Sequence, residues 1–291
     1  MYYYFRGVKR TMREQFKTKG KLVLSLAVSL VVAACSGLQP PDAGGPRANQ
    51  PAYPVVLAAD AARLQEALVF WQRLAQPQTG AEKAQVTLHP YTATIEGLPP
   101  HANLMLPKVG SGPTMSEEET RESLRRFIQE WQGLIGAEPI QLSLRERTDQ
   151  PDGSKLATYE QQPFRFPLRG PYGKLRIRFT AERRVVDFSS TCIPHADRLQ
   201  ASIAAVTPQI GWEDATARVA NMSVSFGSGP GQASYTISPA NKPNVRELVV
   251  YAKDTANGPL ELRLAWEIAV TNAPFQLVYV DAVKGDFLAT A

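Results

Sequence analysis

The alternation of apolar and polar positions divides the chain into an apolar run near the N-terminus, three helical stretches and several strands. Leu22 to Ala34 is thirteen residues without a charge. A Pro/Gly/Ala-rich stretch then runs to about Pro54. Beyond it Leu64, Leu68, Trp71 and Leu74 recur at three- and four-residue intervals behind Asp60, which predicts a capped amphipathic helix. Val86 and Leu88 alternate, with apolar Tyr91 and Ile95 beyond, and Gly97 to Pro113, rich in Pro and Gly, is expected to be a linker. Ser116-Glu-Glu-Glu119 predicts a capping box, in which the Ser116 hydroxyl accepts from the N3 amide while Glu119 reaches back. Glu117 and Glu118 complement the positive helix end. Leu124, Phe127, Ile128, Trp131, Leu134 and Ile135 form one apolar stripe, and Gly136 supplies a left-handed stop before Pro139.

From Ile140 the period is two. Ile140, Leu142 and Leu144 alternate with Gln141, Ser143 and Arg145 up to a turn at 149–153. Strands are predicted at 155–166, at 174–180 with Leu175, Ile177 and Phe179 inward, and at 184–190. A helix over Trp212–Met222, with Glu213 and Asp214 in its first turn, precedes a long loop at 227–244. Three strands close the chain: Arg246–Ala252, Glu261–Val270 and Gln276–Asp281. In the middle one Leu262, Leu264, Trp266, Ile268 and Val270 are expected to face one way. The order predicts an α+β fold of antiparallel sheets, each packed by a helix.

Composition changes the picture in two ways. Of the 291 residues 44% are hydrophobic, ample for a core, so wholesale disorder is excluded. The 32 basic residues outnumber 27 acidic ones, but seven basic side chains and one acid lie in residues 1–34, which leaves 25 against 26 in the remainder. The body is close to neutral, which argues against a nucleic-acid partner held by backbone charge. Two cysteines, at 35 and 192, exclude a disulfide scaffold and a four-thiolate zinc site.

The apolar run has the length of a secretory h-region and falls short of the about 20 residues of a membrane span. It ends in Val32-Ala33-Ala34-Cys35, which resembles the lipobox of bacterial lipoproteins. Residues 1–34 are therefore expected to be a signal peptide, with Met1 or Met12 as the start. Cys35 is the expected lipidation site, and 35–54 a flexible tether. Acyl (palmitate-type) chains on Cys35 would anchor the protein to a membrane, in the bacterial cell envelope and facing outside the cytoplasm. An acylated Cys35 cannot pair with Cys192. Ser36, in place of Asp, would favour outer-membrane sorting in a Gram-negative cell, and the choice between inner and outer membrane stays open.

Near the C-terminus, Leu264-Ala-Trp-Glu-Ile-Ala-Val270 and Leu277-Val-Tyr-Val-Asp-Ala-Val-Lys-Gly-Asp-Phe-Leu288 resemble the end of a PepSY domain. Upstream, Ser123-Leu-Arg-Arg-Phe127, Arg169-Gly170-Pro-Tyr-Gly-Lys-Leu175 and Val185-Val186 are similar to the fungalysin/thermolysin propeptide module. The resemblance implies a propeptide-like α+β module at 114–195 and a PepSY-like module at 205–291, behind an N-terminal helix with short strands at 55–110. In thermolysin-like proteases the two modules form the propeptide. Lys284 departs from the small hydroxyl residue usual in the last turn. Within that motif Asp281 can accept from the amides of the following turn, Gly285 can take a positive φ, and Trp266 and Tyr279 are expected to pair across strands for up to about 1 kcal/mol. Trp266, Glu267, Tyr279, Asp281 and Gly285 are thus read as maintaining the fold; a binding surface at Trp266, Glu267 or Asp281 is the alternative.

Candidate chemistry is sparse. The sequence has no H-E-x-x-H and three histidines, 89, 101 and 195, so the zinc site of those proteases is absent. Cys192, His195 and Asp197 stand too close across Pro194 for a thiolate–imidazole contact, and lack ligands for a metal. Gly227-Ser-Gly-Pro-Gly231 has no following Lys-Ser/Thr and is not a phosphate loop. Lys174, Arg176, Arg178, Arg183 and Arg184 form a basic strand face, solvated, or docking an acidic partner or lipid headgroups near the anchor. The expectation is a protein with no enzymatic activity, cofactor or metal. It would be an envelope lipoprotein and propeptide-like binding module that inhibits or chaperones a secreted protease. The alternative is a structural or regulatory envelope lipoprotein, in signalling or cell-wall assembly, without a protease partner. Cys35→Ala is expected to accumulate as unprocessed precursor that takes up no labelled fatty acid; normal processing of that variant would refute the lipoprotein reading.

Overall fold

The apolar stripe and the strand alternation set out above build two main sheets, antiparallel but for one strand pair, each with helices on one face. The computed structural model describes residues 52–79, 85–99, 102–112, 114–227, 231–255 and 258–291, all within one unit, Pro46–Ala291. The expected signal peptide, Cys35 and the tether up to Pro51 lie outside the described residues. In chain order the elements are β1 (Val55–Leu57), α1 (Ala61–Thr79), β2 (Thr87–Leu88), β3 (Ile95–Gly97), β4 (Leu104–Met105), α2 (Glu117–Glu130), α3 (Gln132–Ile135), β5 (Leu142–Asp149), β6 (Lys155–Gln161) and β7 (Leu168–Arg169). They continue as β8 (Lys174–Phe179), β9 (Arg184–Ser190), α4 (Ala196–Ala204), α5 (Trp212–Val219), β10 (Ser223–Phe226), β11 (Ala233–Thr236), β12 (Asn244–Lys253), β13 (Leu260–Ala269), β14 (Leu277–Asp281) and β15 (Phe287–Thr290). No helix among the described residues is long and apolar enough to cross a membrane.

The first sheet has the order β4-β9-β8-β6-β5. Its inner face carries Leu175, Ile177, Phe179, Val185 and Phe188, against the stripe of α2 and α3 and against Trp71 of α1. Trp131 sits at the centre, its ring 5.6 Å from Phe127, 5.8 Å from Phe188 and 6.1 Å from Trp71. The Asp60 cap, the Ser116/Glu119 capping box and the left-handed Gly136 all form as expected.

Three expectations are corrected. Gly97–Pro113 is not simply a linker: Leu104 and Leu106 are fully buried, and β4 pairs with β9. A two-residue strand is too short for its alternation to show among prolines and glycines. Ile140 does not start a strand but lies 90% exposed in a three-ten turn, and Leu144 is also exposed. Here β5 is an edge strand with a register shift between Leu144 and Glu146, so its apolar residues do not line up over the core. Part of 227–244 is a hairpin, β11 on β10, with Tyr235 edge-on to Phe275 at 5.7 Å. In addition, β1, β7, β15 and α4 form where no element was expected.

The second sheet runs β15-β14-β13-β12-β7, with β1 also paired to β13. Every pairing is antiparallel except β12 with β7, which is parallel. One face bears Leu262, Leu264, Ile268, Val250, Val278 and Val280. The cores on that side include Ile203 of α4 and Ala215 and Val219 of α5. The opposite face, with Val249, Tyr251, Ala265 and Tyr279, is buried as well. Strands cross between the sheets: β7, between β6 and β8 in sequence, belongs to the second sheet.

Cys192 lies fully buried in the first core, where burial raises its thiol from 9.0 to about 12. Below pH 9 the thiol is protonated in both folded and unfolded chains. Above it the unfolded chain ionises first, so stability falls as pH rises from 9 toward 12. Between pH 9 and 10 this thiol is expected to contribute a loss of about 1 kcal/mol to the stability of the wild type in denaturant titrations, in addition to the loss from buried tyrosines such as Tyr279, which also begin to ionise first in the unfolded chain. Cys192→Ala should lose about 1 kcal/mol less than the wild type over that interval, the tyrosine share remaining; an unchanged slope would refute the assignment.

Candidate functional site

Strand register alone brings the main polar cluster together. Glu267 on β13 stands opposite Glu247 on β12 and Tyr279 on β14, so the three side chains share the face away from α4 and α5. On the far side of β12, Arg169 of β7 is registered with Tyr251 and reaches over the same face. Its Nε donates to Glu267 Oε2 at 2.7 Å and its Nη2 to Glu247 Oε1 at 2.7 Å. The Tyr279 hydroxyl donates to the same Oε2 at 3.2 Å, and Arg246 Nη1 lies 3.3 Å from Oε1. Glu267 is 1% exposed and Tyr279 is buried, with the Tyr251 and Tyr279 rings 4.8 Å apart. Burial works against the Arg169 charge, but the bond to Glu267 and the attraction of Glu267 and Glu247 more than offset it and raise its pKa. Burial, then the nearby Glu267 charge, raises Tyr279 well above 10 and keeps it a neutral donor.

An open cavity of about 490 Å³ lies over this cluster, walled by Arg169, Tyr251, Glu267 and Tyr279 on the sheet side and by Gly170 to Lys174 on the other. That second wall is pinned by Tyr172, whose hydroxyl bonds His89 Nε2 at 3.0 Å and donates to Asp254. His89 Nδ1 in turn accepts from the amides of Tyr91 and Thr92, both at 3.3 Å.

A second buried carboxylate shapes the last turn. Asp281 Oδ1 accepts from the amides of Val283 and Lys284 and from the Tyr53 hydroxyl, each at 2.8 Å, and Oδ2 accepts from Arg263 Nη1 at 2.8 Å. Gly285 takes φ +80°, and a Cβ there would lie 2.7 Å from Ile210 Cδ1. Asp281 thus accepts the turn amides and Gly285 takes the positive φ that the motif allows.

The expected Trp266–Tyr279 pair does not form. Trp266 is registered with Val280, one residue away from Tyr279, which puts the two rings on opposite faces. Tyr279 meets Tyr251 instead, and Trp266 Nε1 donates to Ile210 O at 2.9 Å. Cys192, His195 and Asp197 are not assembled either. Cys192 faces the core, His195 is exposed at φ +51° ahead of α4, and Asp197 accepts from Gln141 at 3.2 Å. Lys174, Arg176 and Arg184 of the basic strand face are exposed; Arg178 lies 3.8 Å from Asp152, and Arg183 donates to Leu106 O. Among the described residues no group of three or more His, Cys, Asp or Glu could hold a metal ion.

Sequence reasoning missed Arg246, Glu247 and Tyr251, and had Arg169 only as part of a motif, not as a residue of the site. Arg169 lies in a strand of two residues between Pro167 and Gly170, where no periodicity can register, and it joins a sheet whose other strands lie far along the chain.

No family model and no curated protein matches the chain. Among solved structures it is similar to the Bacillus megaterium YpeB C-terminal domain, at 13% identity over 80% of this chain and 97% of that one, with a TM-score of 0.27. This weak likeness fits a PepSY-like region only loosely and carries no functional inference.

Removing one partner of a buried ion pair leaves the others uncompensated. Glu267→Ala is expected to cost about 3–5 kcal/mol in denaturant unfolding, while Tyr279→Phe costs about 1 kcal/mol. Equal and small losses would show that the cluster does not hold the cleft.

Proposed function

We propose that this chain is a lipid-tethered, non-enzymatic binding module of the bacterial cell envelope. It holds a segment of an exported protein in the cleft over Glu267. The preferred partner is a secreted protease, which the module inhibits or helps to fold. One observation carries this reading: the buried ionisable groups of the cleft, Arg169, Glu267 and Tyr279, are engaged with one another. Arg169 is shared between Glu247 and Glu267, and Tyr279 is held protonated, so neither is poised as a base or nucleophile near neutral pH. Such a wall is preorganised to hold a partner. The one thiol among the described residues, Cys192, is raised to about 12 and lies in the core. The lipobox-like Ala34-Cys35 and the residues after it supply the tether.

The test is to titrate secreted proteases of the same cell with the mature protein. Saturable inhibition, or faster recovery of protease activity on refolding, is expected. Binding to cell-wall or signalling proteins with none to any protease would reassign the partner. Catalytic turnover by the purified protein would overturn the non-enzymatic reading.

A further inference from the structure

The cleft borders a strand edge that is open at Arg246, one of two exposed cations that line the cavity. Val250 N–H donates to Pro167 O at 2.9 Å, so at that residue β12 directs its backbone away from β13 and toward β7. Backbone direction repeats every second residue, so Leu248 presents its N–H and C=O along the same edge. The pairing of β12 with β7 covers only Val250 and Tyr251, and among the described residues no strand continues it to Leu248 or to Arg246 at the register shift. A bare strand edge is a template for another strand.

The charges nearby select what that strand carries. Each acidic side chain of the cleft already has a guanidinium: Glu267 and Glu247 share Arg169, and Glu160 accepts from Arg145 at 2.6 Å. The cations are less engaged. Arg246 is 56% exposed and holds only a 3.3 Å contact to Glu267, and Lys174 is exposed with no ion pair among the described residues. Both line the cavity. Among the side chains lining the cavity the surplus charge is positive, and an exposed guanidinium and an ammonium on the lining of one cavity suit a carboxylate.

We infer that the cleft binds an extended acidic peptide segment of its partner, which adds as a strand along β12 at Arg246–Leu248 and seats a carboxylate side chain between Arg246 and Lys174. This rests on the cleft being the binding surface proposed above, and it specifies the chemistry of what is bound. Backbone bonds to Leu248 give affinity whatever the sequence, and the two cations give selectivity.

The probe is a fluorescein-labelled ten-residue peptide alternating Glu with Val or Thr, titrated with the full mature protein and read by anisotropy. Three controls accompany it: the same peptide with every Glu replaced by Gln, with every Glu replaced by Lys, and with alternate backbone amides N-methylated. The acidic peptide is expected to bind at least tenfold tighter than the Gln and N-methylated forms, with affinity falling as salt is raised. Lys174→Glu, a substitution on an exposed side chain outside the Glu267 network, is expected to weaken the acidic peptide tenfold or more and to favour the Lys peptide. Arg246→Gln should weaken it similarly. Should Arg246→Gln unfold the protein, the Lys174 result decides alone. Equal binding of the Glu and Gln peptides, or indifference to Lys174→Glu, would overturn the inference. Protease inhibition by the wild type that survives Lys174→Glu undiminished would likewise overturn it while leaving the proposed function standing.

Discussion

Taking a carboxylate out of water costs several kcal/mol unless cations and hydrogen-bond donors replace the lost solvent, and Glu267 is almost wholly out of water. Much of the architecture around the cleft follows from meeting that demand. Arg169 must be delivered to Glu267, and β7 delivers it by leaving the run of the first sheet and lying parallel on β12. Once β7 is placed, Gly170 to Lys174 has to form the opposite wall, with Tyr172 fastened to His89 and Asp254. The cavity is the space left between an ion-paired sheet face and the loop that supplies one of its ions.

The second sheet buries both faces by different means. On one, aliphatic residues of β12, β13 and β14 meet α4, α5 and the β10–β11 hairpin. On the other, Tyr251, Tyr279 and Leu288 cover Val249 and Ala265, and the polar atoms are satisfied pairwise. Asp281 repeats the logic of Glu267 at the turn before β15. Its oxygens take two amides, a phenol and a guanidinium, and the phenol belongs to Tyr53 at the start of the described chain. Buried acids thus tie together segments that sequence keeps far apart.

That division explains what could be read from the chain and what could not. Local signals were legible: the Ser116 capping box, the Gly136 stop, the inward Leu175, Ile177 and Phe179, and the Asp281–Gly285 turn are each set within a few residues. Glu267 was legible as part of a motif, but not as a buried acid. Alternation marks it polar, and only the register with Tyr279 and the arrival of Arg169 make its face an interior one. The Trp266–Tyr279 pairing failed for the related reason that neighbouring strands do not fix their own stagger, and one residue decides the face. The two- and three-residue strands β1, β4 and β7 carry too few positions to show a period. Cys35 and the expected signal peptide fall outside the described residues, so for them the sequence pattern stands alone.

The exchange of short strands has a consequence for how such a protein can change over generations. A gene fragment covering β12 to β15 would carry Glu267 into a new chain without Arg169, and β13 without the strand that flanks its first residues. A fragment covering β5 to β9 would leave β4 behind. Recombination at the boundary between the two sheets is therefore penalised twice, and the halves are bound to be inherited, duplicated or lost as one piece.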